Sequence, residues 1–100
     1  MAKKPLEEAL LEDAFVVTHP LRYRIVELLA ETPMHINALS RALGVERRLI
    51  AYHLTTLEER GFVKSKYELF VLLKQKGTAL RVYKVTDKVA EVKMSLKKAL

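Results

Sequence analysis

The sequence predicts a mainly α chain with one β-hairpin, an α+β fold in the order α-α-(short β)-α-α-β-β-α. Three observations predict it. Apolar residues recur at helical spacing through most of the stretch from Leu6 to Leu57. From Phe62 the pattern changes to β-branched and aromatic residues, interrupted by the turn-like Lys74-Gln75-Lys76-Gly77-Thr78. After Asp87 helical spacing returns in Val89, Val92, Leu96 and Leu100. With 100 residues the chain has enough material for a single domain, residues 1–100, with one modest core.

Each element has a local cause. Pro5 suits the first turn of a helix to about Val17, with Leu6, Leu10, Ala14 and Val17 near one face. Leu11 and Phe15 widen that stripe beyond what one small core requires. Thr18-His19-Pro20 interrupts, and Pro20 opens a second helix whose Leu21, Ile25, Leu28 and Leu29 share a face until Thr32-Pro33 stops it. Met34-His35-Ile36 reads as a short extended piece. Asn37 is the expected N-cap of a brief helix holding Leu39, Ala42 and Leu43, and Gly44 is its expected C′ residue. The next helix runs from about Arg47 to Arg60, with Ile50, Leu54 and Leu57 buried, and Gly61 ends it. Strands follow from Phe62 to about Leu73 and from Ala79 to Thr86, and Asp87 is expected to cap the last helix.

Composition narrows the function classes. Half the residues are apolar and 30% are charged, a globular balance. No apolar run approaches the roughly 18–20 residues of a membrane span. The start, MAKKPLEEALLEDAF, carries acids within its apolar stretch and no small-residue cleavage site, so a cytoplasmic protein is expected. Cysteine is absent, which excludes disulfides and thiolate metal sites. Asn37 and Gln75 are the only side-chain amides, and with many Lys and Glu this suggests an archaeal or hot-growing source. The net charge is +6 and uneven: residues 41–84 hold ten basic and four acidic residues, whereas residues 1–40 hold four basic and six acidic. A basic central segment points to nucleic acid or another acidic surface as partner.

A short helix, a Gly-containing turn and a longer helix make a helix-turn-helix, whose second helix enters the DNA major groove. If Ile50, Leu54 and Leu57 are buried, Arg47, Arg48, Ala51, Tyr52 and Thr55 face outward. Arginine pairs bidentately with guanine O6 and N7, and Thr55 can bond a base edge or a phosphate. Tyr52 can donate to a phosphate or pack on a thymine methyl. Two arginines at a helix N-terminus oppose its dipole at a cost of about 0.3–1 kcal/mol, which bound DNA would offset. Ser40 and Arg41 are expected to anchor phosphates.

HPLRYRIVELL, INALSRALGV and IAYHLTTLEERGFV together resemble the ArsR family of winged helix-turn-helix transcriptional repressors. Pro20, Arg22, Ile25, Leu28, Leu29, Leu43, Gly44, His53, Leu54, Leu57, Gly61 and Val63 fall in register with the family pattern, over roughly residues 6–100. The resemblance implies a homodimer held by the first and last helices (about 6–17 and 87–100) that binds a two-fold symmetric operator and competes with RNA polymerase. Leu6, Leu10, Leu11, Phe15, Val89, Val92, Leu96 and Leu100 are the expected interface, unless both helices fold back onto one monomeric core.

Two departures stand out. Glu46 occupies the start of the recognition helix, where the family usually has Ser. The hairpin is longer than the usual wing and resembles archaeal members; Lys74, Gln75 and Lys76 at its tip and Lys64, Lys66 and Arg81 at its base suit DNA contacts. Phe70-Val71-Leu72-Leu73 is apolar for a solvated wing and suits packing on the body or on a partner.

No cofactor, metal or catalytic centre is expected. The family's thiolate sensor is impossible without cysteine, and the last helix has Asp87 and Glu91 but no histidine. His19, His35 and His53 show no ligand spacing. His53 lies beside the buried stripe, a place for a hydrogen-bonded residue that orients the helix. The sequence therefore points to a sequence-specific double-stranded DNA-binding regulator, a repressor. The alternative is a winged-helix module that binds another protein of the transcription machinery; RNA binding is a third option that lacks the aromatic surface cluster of single-strand readers.

Overall fold

In the computed structural model, residues 5–70 and 78–99 are described. Residues 71–73, Lys74, Gln75, Lys76 and Leu100 lie outside the described residues, as do the side chains of Leu6 and Phe70. The helices are α1 (Pro5–Val17), α2 (Pro20–Glu31), α3 (Ile36–Leu43), α4 (Arg47–Glu59) and α5 (Asp87–Ala99). The strands β1 (Met34–His35), β2 (Val63–Phe70) and β3 (Thr78–Val85) form an antiparallel sheet in the order β1-β3-β2. This is the winged helix-turn-helix order that the sequence predicts.

Three helix starts are capped by side-chain acceptors, two of them unexpected. α3 begins at Ile36, so its N-cap is His35 and not Asn37; His35 Nδ1 accepts from the Asn37 amide at 3.2 Å. His19 caps α2 in the same way, accepting from the Leu21 amide at 3.2 Å, with Pro20 preset for the first turn. Thr86, rather than Asp87, supplies the side-chain acceptor at α5: its Oγ1 accepts from the Lys88 amide at 3.3 Å and donates to the Gly61 carbonyl at 2.6 Å. Asp87 stands in the first turn, where a carboxylate complements the helix dipole.

Both helix-ending glycines adopt left-handed backbone, Gly44 at φ +66° and Gly61 at φ +83°. At Gly61 the Phe62 amide bonds the Leu57 carbonyl at 2.9 Å and the Gly61 amide bonds the Glu58 carbonyl at 3.0 Å. These two bonds make a Schellman end, which drops Phe62 into the core directly below Leu57.

The core sits between the helices and one face of the sheet. Ile25, Val26 and Leu29 of α2, Leu39 of α3 and Ile50, Leu54 and Leu57 of α4 meet Phe62, Val63 and Tyr83. The register pairs Val63 with Val85 and Ser65 with Tyr83, so these residues face the helices, while Lys64 opposite Lys84 faces away. Val89 and Val92 correct an expectation: each is only 6% exposed and belongs to this core, so neither is free for a dimer contact. Their spacing on α5 makes an apolar stripe, and the stripe is covered from within the chain.

Phe62→Ala is expected to cost about 3–5 kcal/mol by emptying the core. Gly44→Ala should cost only about 1 kcal/mol, because a Cβ there meets nothing within 4 Å and the penalty is left-handed backbone alone. Urea denaturation checks the contrast; equal losses would contradict it.

Candidate nucleic-acid interface

The orientation of α4 follows from its buried stripe, Ile50, His53, Leu54 and Leu57. A helical repeat of 3.6 then sends Arg48, Tyr52, Thr55 and Glu59 outward along one line, at spacings of i, i+4, i+7 and i+11. All four are exposed, Tyr52 at 62%, and Arg47 is exposed beside them while Ala51 is half-buried. Two neighbours went unnoticed in the sequence. Leu49 is 42% exposed, and Glu59 puts a carboxylate at the far end of the basic stripe. The same helical spacing, counted onward from Arg48, would have found Glu59.

The turn into α4 is held by one residue of α3. The Ser40 carbonyl accepts from the amides of Gly44 at 2.9 Å and Val45 at 3.2 Å, and Ser40 Oγ donates to the Val45 carbonyl at 2.6 Å. Expected to anchor a phosphate, the Ser40 hydroxyl hydrogen is instead committed to closing this turn. Arg41, next to it, is exposed. Glu46 is the N-cap residue of α4, is exposed, and makes no side-chain bond to the helix amides.

At the root of the wing, Arg81 likewise departs from expectation. Its Nε donates to Ser65 Oγ at 2.8 Å, its terminal nitrogen donates to Glu58 at 2.8 Å, and Ser65 Oγ donates to the other Glu58 oxygen at 2.8 Å. The guanidinium therefore ties β3 and β2 to the end of α4, while the Arg81 side chain stays 43% exposed. It also lies 5.1 Å from the Tyr83 ring centre. Burial pushes the Tyr83 hydroxyl pKa up, and Arg81 opposes that rise. Lys64 and Lys66 are exposed on the outer sheet face, where with Lys84, Pro33 and Val82 they border a groove of about 310 Å³.

A second ionic knot joins α4 to the outer helices. Asp13 of α1 accepts from Arg60 at 2.9 Å and lies 3.2 Å from Lys88 of α5, and Lys88 Nζ also donates to the Arg60 carbonyl at 2.5 Å. Lys88 sits 4.8 Å from the centre of the Phe62 ring, so charge and core close over each other.

His53 is 5% exposed and orients α4 through a contact that sequence spacing could not show. Arg22 Nε donates to His53 Nδ1 at 3.1 Å while another Arg22 nitrogen donates to the Val16 carbonyl at 3.1 Å. The His19 ring lies 4.6 Å away. Burial, then His19, then Arg22 hold the His53 pKa below its ordinary 6.5. Among the described residues, no three His, Cys, Asp or Glu side chains are grouped to hold a metal ion, and no helix is long and apolar enough to cross a membrane.

Residues 19–65 match the family model for bacterial regulatory proteins of the arsR family. None of the curated proteins matches the sequence. Among solved structures, Rv0081 from M. tuberculosis is 25% identical with a TM-score of 0.69, covering 97% of this chain and 90% of that one. An ArsR-like transcriptional regulator from Rhodococcus sp. is 20% identical with a TM-score of 0.70, covering 97% and 83%. The homodimeric winged helix-turn-helix DNA-binding domain of a possible ArsR-family regulator from Mycobacterium bovis is 19% identical with a TM-score of 0.66, covering 99% and 89%.

Asp13→Asn leaves Arg60 and Lys88 facing a neutral amide and is expected to lower stability by on the order of 1–2 kcal/mol, the range for hydrogen bonds to charged groups less solvent screening. Thermal unfolding at low and high salt checks it: the deficit should shrink as salt rises.

Proposed function

We propose, from the premise that this chain is an ArsR-like winged helix-turn-helix protein, that it is a cytoplasmic transcriptional regulator that binds specific double-stranded DNA as a homodimer and represses from a two-fold symmetric operator. The observation that carries the reading is the outward line of α4. It presents Arg48, Tyr52 and Thr55, with Arg47 beside them, on a helix whose other side is locked into the core. An arginine fork fits guanine O6 and N7, and a tyrosine ring fits a thymine methyl or a phosphate. Arg41, Lys64 and Lys66 supply charge to the flanking backbone, with Lys74, Gln75 and Lys76 at the wing tip as further contacts.

The dimer is supported by what α1 and α5 leave uncovered. Leu11 and Phe15 are 57% and 80% exposed on α1, and Met94 is 59% exposed on α5. The two helices pack on each other and border an open groove of about 540 Å³ that includes Leu10. Leu96 is half-buried against the core, so only its outer side is available to a partner. A two-fold axis through this surface would cover the apolar side chains, and a dimer on a two-half-site operator needs its two α4 helices about one DNA turn, roughly 34 Å, apart.

Duplex binding should weaken with salt at a log–log slope of about −0.9 for each phosphate neutralised. Arg47→Ala with Arg48→Ala should level the preference among sequences recovered by duplex selection, whereas Lys64→Ala with Lys66→Ala should weaken every duplex alike and flatten the salt slope. Binding that ignores salt would sink the reading. Phe15→Glu should convert the dimer to monomer in analytical ultracentrifugation, and affinity for a two-half-site duplex should fall toward that for a single half-site. A dimer that survives the change would place the interface elsewhere.

A further inference from the structure

We propose that Arg22 and His53 are a positioning pair that sets α4 on the helical body, and that a proton on His53 Nδ1 breaks the pair and weakens specific duplex binding. The inference rests on the DNA-binding reading above and deepens it. Neither residue needs to touch DNA.

The argument begins with direction. An arginine is always a donor, so the 3.1 Å contact from Arg22 Nε makes His53 Nδ1 an acceptor and places the ring hydrogen on Nε2. Only the neutral ring can do this. Adding a proton to Nδ1 sets an N–H against an N–H and a cation against a guanidinium in a buried place. The groups facing the ring are Arg22 from α2, His19 at the N-cap of that helix and Tyr52 from α4 itself, and α1 contributes the Val16 carbonyl that holds the other end of Arg22. Arg22 and His19 both oppose protonation, in line with the lowered pKa. The three histidines share one chemistry here: His19 and His35 also accept through Nδ1, each from a helix-start amide.

The consequence for reading is geometric. Tyr52 meets His53 ring edge to face at 5.1 Å, and Arg48 lies one turn before Tyr52 on the outward line. Arg22 fixes His53 from one side and the end of α1 from the other, so α2 acts as the reference against which α4 is rotated. Release of that hold leaves α4 anchored by Ile50, Leu54 and Leu57 and loosens the seat of Tyr52, which rests on the His53 ring, together with its neighbour Arg48.

Neutral-pH binding and the acid response separate cleanly in His53→Asn. The Asn Oδ1 can replace Nδ1 as acceptor for Arg22, and it does not titrate. Fluorescence anisotropy with a selected duplex, from pH 8 down to about 5, compares the variant with wild type. The two should match at the upper end. The wild type should then lose affinity relative to the variant, approaching about tenfold per pH unit below the His53 midpoint, the limit for one linked proton. Both proteins keep His19 and His35, so the substitution changes one ring alone. Parallel profiles would overturn the proposal, as would side-chain ¹⁵N NMR showing the hydrogen of neutral His53 on Nδ1. If no duplex binds at any pH, the DNA reading fails by itself. The pair is then judged by the amide signals of Arg48 and Tyr52, which must move with the His53 titration in wild type and stay still in the variant. Should His53→Asn not fold, Arg22→Gln is expected to raise the His53 midpoint and remove the coupled movement; an unchanged midpoint would count against the pair.

Discussion

The rotation of α4 about its own axis is the constraint on which the remaining surface depends. Ile50 and Leu57 are fully buried and Leu54 is 1% exposed, so a turn of even one residue's angle would pull a large side chain out of the core. Deleting one such side chain typically costs several kcal/mol, far more than any surface contact on the opposite face returns. The outward line from Arg48 to Glu59 is therefore fixed by residues that never reach it. The Schellman end at Gly61 extends the same constraint to the sheet, because it sets Phe62 and then Val63 at the start of β2.

Around this axis, polar contacts join each neighbour to α4 at a different point. Arg22 reaches His53 from α2, Asp13 and Lys88 close on Arg60 from α1 and α5, and Arg81 ties the wing to Glu58. Two of the ten basic residues that make residues 41–84 so positive are engaged by carboxylates in these contacts. Among the described residues of that segment, the exposed cations outside these ion pairs are Arg41, Arg47, Arg48, Lys64, Lys66 and Lys84. A charge count in sequence sees the excess; only the pairing shows which cations are spent on the fold.

What was legible in the sequence is what depends on near neighbours along the chain. Helical spacing, the two terminating glycines, Pro20 at a helix start and the change of period at Phe62 all report local backbone preference, and the elements appear within a residue or two of their expected bounds, save that the strand end expected at about Leu73 lies outside the described residues. The errors have two sources, side-chain acceptors close by that spacing does not reveal and partners distant in the chain. His35 displaced Asn37 as a cap because an imidazole nitrogen accepts an amide hydrogen as a carbonyl oxygen does, a role the usual cap preferences underrate. Ser40 is drawn into the turn after its own helix, and Arg81 is claimed by Glu58, 23 residues away. Val89 and Val92 read as interface because an apolar stripe on a terminal helix carries no label for which chain covers it.

The sheet order leaves β2 at an edge, bonded to β3 on one side only. An open strand edge is a template on which another copy can add its own strand and start a fibre. Lys64 and Lys66 stand on this edge strand, and Lys64 faces Lys84 across the ladder. A second copy laid parallel and in register against β2 would set Lys64 and Lys66 beside their own counterparts. Charged side chains on an edge strand oppose such growth, so the lysines that suit a polyanion also suit an open edge.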